Sequence, residues 1–296
     1  DSIATLTRLF MLGATARRAD LDAALPRLGA AGAEAAGLVA AAGRGRDDEV
    51  RALLDLRPFE GTWLLSDLGQ TATGRPLERD HVLGVGGASL SLAELTVREP
   101  VGRVLDLGTG CGVQAVLAAR HADHVTATDV SARALAIARA NLAIAGVDAG
   151  LRAGSMLEPV AGETFDLVVS NPPFVITAPA LRAGGLFEYR DGGAAGDDLV
   201  RDLVAGVPAV LAPGGVAQFL GNWEHRRGEE WRDRVGSWLD PELDAWVVQR
   251  EVLDPPAYVE TWLRDAGLTP QHDRAGYEAA YEAWLADFTG RGVEAI

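Results

Sequence analysis

The sequence predicts an α/β protein: a parallel sheet with helices on both faces, preceded by a smaller, mostly helical N-terminal part. Short apolar runs at 103–107, 124–129, 165–170 and 216–220 alternate with helix-patterned stretches, the rhythm of repeated strand–helix units. Strands covered on both faces read as near-continuous apolar runs, and these do. The first 80 residues differ, with Ile3, Leu6, Leu9 and Phe10 recurring at helical spacing. At 296 residues, 48% hydrophobic, the chain can fill one large α/β domain and a small companion, with the expected boundary between 1–80 and 81–296.

In the N-terminal part, a helix near residues 3–10 is followed by a second over 21–28 and an Ala-rich third over 30–42 that ends at Gly43. Two strands, 50–56 and 62–65, flank the turn at 58–61. Three helices and a small hairpin suggest a winged-helix-like unit. Its arginines Arg17, Arg18, Arg44 and Arg46 either meet a substrate or simply face solvent. In the larger part, strand 103–107 leads to helix 113–120, and strand 124–129 to helix 132–145, with Ser131 as N-cap. Strands follow at 151–153 and 165–170, then a helix over 199–211 stopped by Pro213-Gly214-Gly215, and a strand at 216–220. A helix at 229–239, an apolar strand at 246–252, helices at 257–266 and 277–288, and a β-like stretch at 292–296 complete the chain. The abrupt end of that last stretch predicts that the natural chain continues.

Composition narrows the function classes. All 27 basic residues are arginine, against 42 acidic ones, for a formal charge of −15. That balance argues against indiscriminate binding to nucleic acid or anionic membrane. No apolar run approaches the ~18–20 residues of a membrane span, and 9–12 is too short for a secretory core. The lone cysteine, Cys111, rules out an internal disulfide and fits a reducing cytoplasm. His121 and His124 have no framing ligands, so no metal site is expected.

The segment Arg103-Val-Leu-Asp-Leu-Gly-Thr-Gly-Cys-Gly112 carries the first chemical signal. An apolar strand runs into Asp106, then Gly108, Gly110 and Gly112, and a helix starts. Glycines at such a turn allow positive φ and let backbone approach a ligand. The spacing is neither the dinucleotide fingerprint nor a phosphate loop. A carboxylate beside the turn would repel a pyrophosphate but suits an ammonium group. Asp129, closing the second strand, can accept hydrogen bonds from both hydroxyls of a ribose.

The second signal is Ser170-Asn171-Pro172-Pro173-Phe174, directly after the strand at 165–170. Two prolines stop the strand and stiffen the corner. The Asn171 side-chain oxygen and the Pro172 carbonyl then form two acceptors, one for each proton of an NH₂ group. Such a pair draws a delocalised nitrogen toward sp³ and aims its lone pair, with no general base required. Phe174 can stack on a flat substrate.

On these residues the chain resembles class I S-adenosylmethionine-dependent methyltransferases, and within them the amino-methyltransferases with an Asn-Pro-Pro-aromatic motif. These act on the glutamine amide of release factors or on exocyclic amines of nucleobases. The resemblance covers roughly residues 81–223. It implies a Rossmann-like seven-stranded sheet that binds S-adenosyl-L-methionine and releases S-adenosyl-L-homocysteine. On that reading Asp106 and the turn Gly108, Thr109, Gly110 and Gly112 hold the methionine end. Asp129 takes the ribose, Val130 and Ser131 border the adenine, and Ser155 and Met156 pack on it where many relatives carry an aspartate. Asn171, Pro172 and Phe174 form the catalytic corner, with Asn171 also near the cofactor. Pro173, Glu188, Tyr189 and Arg190 would meet substrate. The stretch 189–198 is similar to the Gly-Gly-x-x-Gly segment of the glutamine enzymes. Gly86, Gly87 and Ser89 either line the methionine end or belong to a linker.

The charge and the 189–198 segment favour a protein, peptide or small-molecule acceptor. Phe174, in place of the usual Tyr, and the N-terminal arginines point to RNA as the alternative. A non-catalytic cofactor-binding or RNA-chaperone module is a third reading, against which the intact Asn171 and Pro172 stand.

Overall fold

The computed structural model describes residues 1–43, 45–75, 77–182 and 189–296. The N-terminal unit runs α1 (Ser2–Leu6), extended by a π-turn at Thr7–Met11, then β1 (Ala16–Arg17), α2 (Arg18–Ala24), α3 (Gly29–Ala35), β2 (Val39–Ala41) and β3 (Glu49–Ala52). The three strands form an antiparallel sheet in the order β1-β3-β2. That helix–strand–helix–helix–strand–strand succession is the order of a winged helix, closed over Leu9, Phe10, Leu21 and Val50. Two expectations are corrected here. The Ala-rich helix over 30–42 stops at Ala35, because Gly37 turns left-handed at φ +71° and Val39–Ala41 pairs with β3 instead. The strand expected over 50–56 is two strands: β3 belongs to this sheet, while β4 (Asp55–Phe59) pairs with β5 (Thr62–Ser66) in a separate hairpin.

One buried side chain hydrogen-bonds that hairpin to the larger part of the chain, beside the apolar packing of Leu64 and Leu65. Asn141 is fully buried; its Oδ1 accepts from the Leu65 N–H at 2.7 Å, and its Nδ2 donates to the Leu65 and Cys111 carbonyls at 2.8 and 2.7 Å. Asn141→Leu leaves three backbone groups without that partner. At about 1–3 kcal/mol per stranded group, we expect a loss of roughly 3 kcal/mol or more in unfolding free energy, read from urea denaturation. A loss below about 0.5 kcal/mol would contradict this fastening role.

After α4 (Gln70–Thr73) and α5 (Gly87–Leu95) comes the parallel sheet: β6 (Val101–Leu107), α6 (Val113–Ala118), β7 (Ala122–Asp129), α7 (Ala132–Ala145), β8 (Ala149–Ala153), β9 (Phe165–Ser170), α8 (Pro179–Arg182), α9 (Asp198–Gly206) and β10 (Leu211–Phe219). Its order is β10-β9-β6-β7-β8 with every pair parallel. Successive residues of β6 serve opposite faces. Val104 packs with Val116, Ile137 and the β4–β5 hairpin, and Leu105 packs with Phe165, Leu203 and Val207. The chain moves outward from β6 to β8 and then returns to β9, so the strand order reverses between β6 and β9. Ligands bind open α/β sheets at such a switch point, beyond the carboxyl ends of the strands.

The remainder comprises β11 (His225–Arg226), α10 (Trp231–Gly236), α11 (Pro255–Asp265), α12 (Arg274–Gly290) and β12 (Val293–Ala295). Residues 246–252, expected as a strand, form none: Trp246 is 92% exposed, and no strand among the described residues pairs with the segment. The stretch at 292–296 does contain a strand, but β12 pairs antiparallel with β11, away from the main sheet. The described residues thus place five strands in the parallel sheet, against the seven that the resemblance implies. Among them no helix is long and apolar enough to cross a membrane, and no His, Cys, Asp and Glu side chains cluster as a metal site.

Candidate active site

A cavity of about 280 Å³ opens at the switch point. Its wall is built from the segments that leave the carboxyl ends of four strands: Asp106–Cys111 after β6, Thr128–Ser131 after β7, Gly154–Met156 after β8 and Ser170–Pro173 after β9.

The glycine turn is shaped by two carboxylates. Asp106 is 1% exposed, and its Oδ2 accepts from Thr109 Oγ1 at 2.6 Å and the Ala115 N–H at 2.9 Å, tying the turn to the first helical residues of α6. Burial pushes its pKa up to about 7, against the pull of those two donors. Asp129 spans the turn from the neighbouring strand. Its Oδ2 accepts from the Gly110 N–H and its Oδ1 from the Ser131 N–H, both at 2.9 Å. Burial raises its pKa too, with the backbone donors opposing. Each carboxylate oxygen can accept two hydrogen bonds, so each Asp129 oxygen keeps a position for a ligand.

The three glycines have different tasks. Gly108 and Gly110 take φ of +71° and +55°, line the cavity, and would meet nothing within 4 Å if given a Cβ. They present bare backbone to the opening. Gly112, at φ +86°, lies outside the cavity wall; a Cβ there would come 3.2 Å from Ala138 Cα, so its smallness lets α6 and α7 approach. Cys111 packs in the apolar cluster with Val113, Val116 and Ala127, with its thiol pushed up to about 11 by burial. Met156, the residue expected against an adenine, is in the left-handed region at φ +48°, a strained conformation for a side-chain-bearing residue.

The proline corner faces the same opening. Asn171, Pro172 and Pro173 line the cavity, and Asn171 Oδ1 is buried with no hydrogen-bond partner among the described residues. A buried acceptor left empty costs free energy unless something fills it. Phe174 takes a different place from the one expected of it. It lies outside the cavity wall and packs against Val200, Val235 and Trp238, with Trp223 and Trp231 alongside. Phe174 is extended and bridged to Asp191, and side chains alternate along extended backbone, so Pro173 facing in sends Phe174 out.

Of the other expected substrate residues, Tyr189 lines the cavity and donates from its hydroxyl to Asp265 Oδ2 at 3.1 Å. Arg190 does not line it. Its Nη1 donates to the Trp262 carbonyl at 2.9 Å and to Asp265 Oδ2 at 3.0 Å, making it a strut to α11. Glu188 and the N-terminal Arg44 lie outside the described residues. Ser89 and Gly84 join the wall, whereas Gly86 and Gly87 begin α5 away from it.

His81, Gln114, Thr128 and Asp191 line the cavity without having been singled out in the sequence. Thr128 follows from the alternation of β7, and Gln114 from the first turn of α6. His81 carries no local signal, because the path of the segment before α5 brings it there. Its ring meets Tyr189 edge-on at 5.7 Å, and burial lowers its pKa.

Residues 85–183 match the family model described as the methyltransferase small domain, and residues 1–53 match one described as a domain of unknown function, DUF7059. The release factor glutamine methyltransferase of Xylella fastidiosa (strain 9a5c) is 40% identical over 172 residues, 55% of this chain and 61% of that protein. The ribosomal protein uL3 glutamine methyltransferase of Bradyrhizobium diazoefficiens is 35% identical over 55% of this chain and 53% of its own length. The ribosomal RNA small subunit methyltransferase C of Alcanivorax borkumensis is 35% identical over 42% of this chain and 33% of its own. The chain therefore spans 61% or less of these three curated relatives. The glycine turn, Asp129 and the proline corner all fall inside the interval that is similar to the methyltransferase small domain.

Proposed function

We propose that this chain is an S-adenosylmethionine-dependent N-methyltransferase acting on a planar NH₂ nitrogen, with a protein glutamine amide as the favoured acceptor. The observation that carries the reading is Asn171 Oδ1, buried with no hydrogen-bond partner among the described residues, on the wall of a cavity that Asp106 and Asp129 also line.

The residues present fit the donor. Gly108 and Gly110 leave an open cradle of backbone, and Asp129 keeps acceptor positions for ribose hydroxyls. Asp106 and Thr109 would hold the methionine end. Val130, Ser131, Ser155 and Met156 would border the adenine. Bound there, S-adenosylmethionine would supply an electrophilic methyl carbon for the acceptor nitrogen and end as the thioether S-adenosylhomocysteine. The chain's own part is positioning. Asn171 Oδ1 and the Pro172 carbonyl each accept one N–H of the acceptor, which localises the nitrogen lone pair and fixes its direction. The two prolines keep that corner from relaxing.

The glutamine acceptor is supported by the glutamine methyltransferases among the relatives and by the −15 charge. Acidic groups also stand around the cavity mouth, with Asp191 on its wall and Asp265 bonded to Tyr189. The similarity to a ribosomal RNA methyltransferase supports a nucleobase amine as the second reading. Labelled methyl transfer into separated protein, RNA and small-molecule pools tests both. The first reading expects label on glutamine amide nitrogen, with acceptor affinity only weakly dependent on salt. The second expects label in RNA and a steep log–log salt dependence. No label in any pool overturns the proposal. The single buried thiol and the absence of a spanning helix among the described residues suit a reducing cytoplasmic setting.

Asp106 gives the reading a pH signature. The ionised carboxylate suits the donor's ammonium group, yet burial keeps it protonated up to about pH 7. S-Adenosylmethionine affinity should therefore strengthen by up to about tenfold per pH unit as pH rises toward 7, then level off. In the ligand-free protein the sign is opposite: the folded pKa lies above the unfolded value of about 3.9, so this group's stabilisation is complete below that pH and is lost as pH climbs to about 7. Asp106→Asn should flatten the affinity profile in calorimetry. A profile as steep in Asp106→Asn as in the wild type would contradict the assignment.

A further inference from the structure

Helices α11 and α12 build their own apolar cluster around Tyr258, Val259, Trp284 and Phe288, and close it on Val175 and Ile176, just after the proline corner. The contact is polar at its centre. The Ile176 N–H donates to Tyr258 Oη at 2.9 Å, and the Ile176 carbonyl accepts from Trp284 Nε1 at 2.9 Å. Tyr258 Oη also accepts from Asn222 Nδ2 at 3.0 Å, on the segment leaving β10. Tyr258 and Trp284 are 2% and 1% exposed, and their rings meet edge-on at 6.3 Å.

The placement has a physical consequence for the corner. Pro172 and Pro173 have no N–H, so the two residues that shape the corner cannot anchor themselves by donating backbone hydrogen bonds. The nearest anchoring donors beyond Phe174 are the Val175 N–H, which reaches the Arg190 carbonyl at 2.8 Å, and the Ile176 N–H. Ile176 is thus held at both of its backbone polar groups by side chains from α11 and α12. Reacting groups misplaced by about 1 Å can lose about a hundredfold in rate, so a grip this close to Asn171 bears directly on turnover.

We propose that Tyr258, together with Trp284, is a positioning residue for the acceptor corner: the C-terminal helix pair sets where Asn171 and Pro172 stand by gripping Ile176. The proposal rests on the reading of Asn171 and Pro172 as the acceptor site. It adds that this site needs residues 255–290, far along the chain from the glycine turn and the corner.

The test compares wild type, Tyr258→Phe and Trp284→Phe by amide hydrogen exchange, S-adenosylmethionine calorimetry and acceptor kinetics. Tyr258→Phe keeps the ring and removes only the oxygen shared by Ile176 and Asn222. Exchange in the peptide 174–178 should quicken by about tenfold or more, while peptides from β6 and β9 stay unchanged. Cofactor affinity should stay within about twofold, and kcat should fall about tenfold or more. Trp284→Phe, which removes the donor to the Ile176 carbonyl, should move all three readouts in the same directions, and decides the matter if Tyr258→Phe does not fold. Unchanged exchange at 174–178, or faster exchange with unchanged kcat, overturns the proposal. So does unfolding of both variants, which would make the helix pair a general stabiliser. A wild-type chain that methylates no acceptor defeats the acceptor reading instead, and exchange at 174–178 then decides alone whether the helix pair holds Ile176.

Discussion

Asn171→Ala is expected to lower methyl transfer by about a hundredfold or more while leaving S-adenosylmethionine affinity within about twofold. The division follows from where the atoms stand. Asn171 Oδ1 is a buried acceptor on the cavity wall to which no group of the described residues is bonded, so its removal disturbs no hydrogen bond seen there. What it removes is an acceptor aimed at an NH₂ group whose lone pair must be localised before it can attack, and electrostatic groups placed for a transition state act mainly on turnover. The alanine variant should be at least as stable as the wild type, because a stranded polar atom has been deleted. Kinetics, calorimetry and urea denaturation together check the pattern. Equal losses of turnover and cofactor affinity would assign Asn171 to the framework of the cavity.

Asp129→Ala should do the converse. We expect S-adenosylmethionine affinity to fall by about a hundredfold or more, with unfolding free energy lower by roughly 2–4 kcal/mol. Both carboxylate oxygens already hold the turn, through the Gly110 and Ser131 N–H groups at 2.9 Å. Hydrogen bonds to a charged group contribute about 1.5–3 kcal/mol each, so their loss loosens the cradle and removes the ribose partner together. Asp129→Asn keeps an oxygen on one side only and should fall between. A cofactor affinity unchanged in Asp129→Ala would contradict the ribose assignment outright.

The parts of the site that were legible in the sequence are those whose chemistry is local. Gly108, Gly110 and Gly112 all take positive φ, which the spacing required, and the two prolines stop β9 where the sequence says they must. Asp129 was readable because a strand end places it within reach of the preceding turn. The features that were misread depend on partners far away in sequence. Residues 246–252 have the apolar, β-branched look of a strand, yet a strand exists only with a neighbour to pair with, and here none is supplied. Residues 39–41 have helix-favouring alanines, but pairing with β3 outweighs propensity. Phe174 sits off the cavity wall, in a direction that depends on the extended bridge to Asp191, seventeen residues on. His81 and the Tyr258 grip on Ile176 depend on chain paths that no local pattern encodes.

A crystal structure of the complex with S-adenosyl-L-homocysteine tests the account most directly. The ribose hydroxyls should lie on Asp129, the amino group near Asp106, and the sulfur on the side of the cavity that Asn171 Oδ1 and the Pro172 carbonyl face. A ligand seated elsewhere, or one whose sulfur points away from that corner, would contradict it.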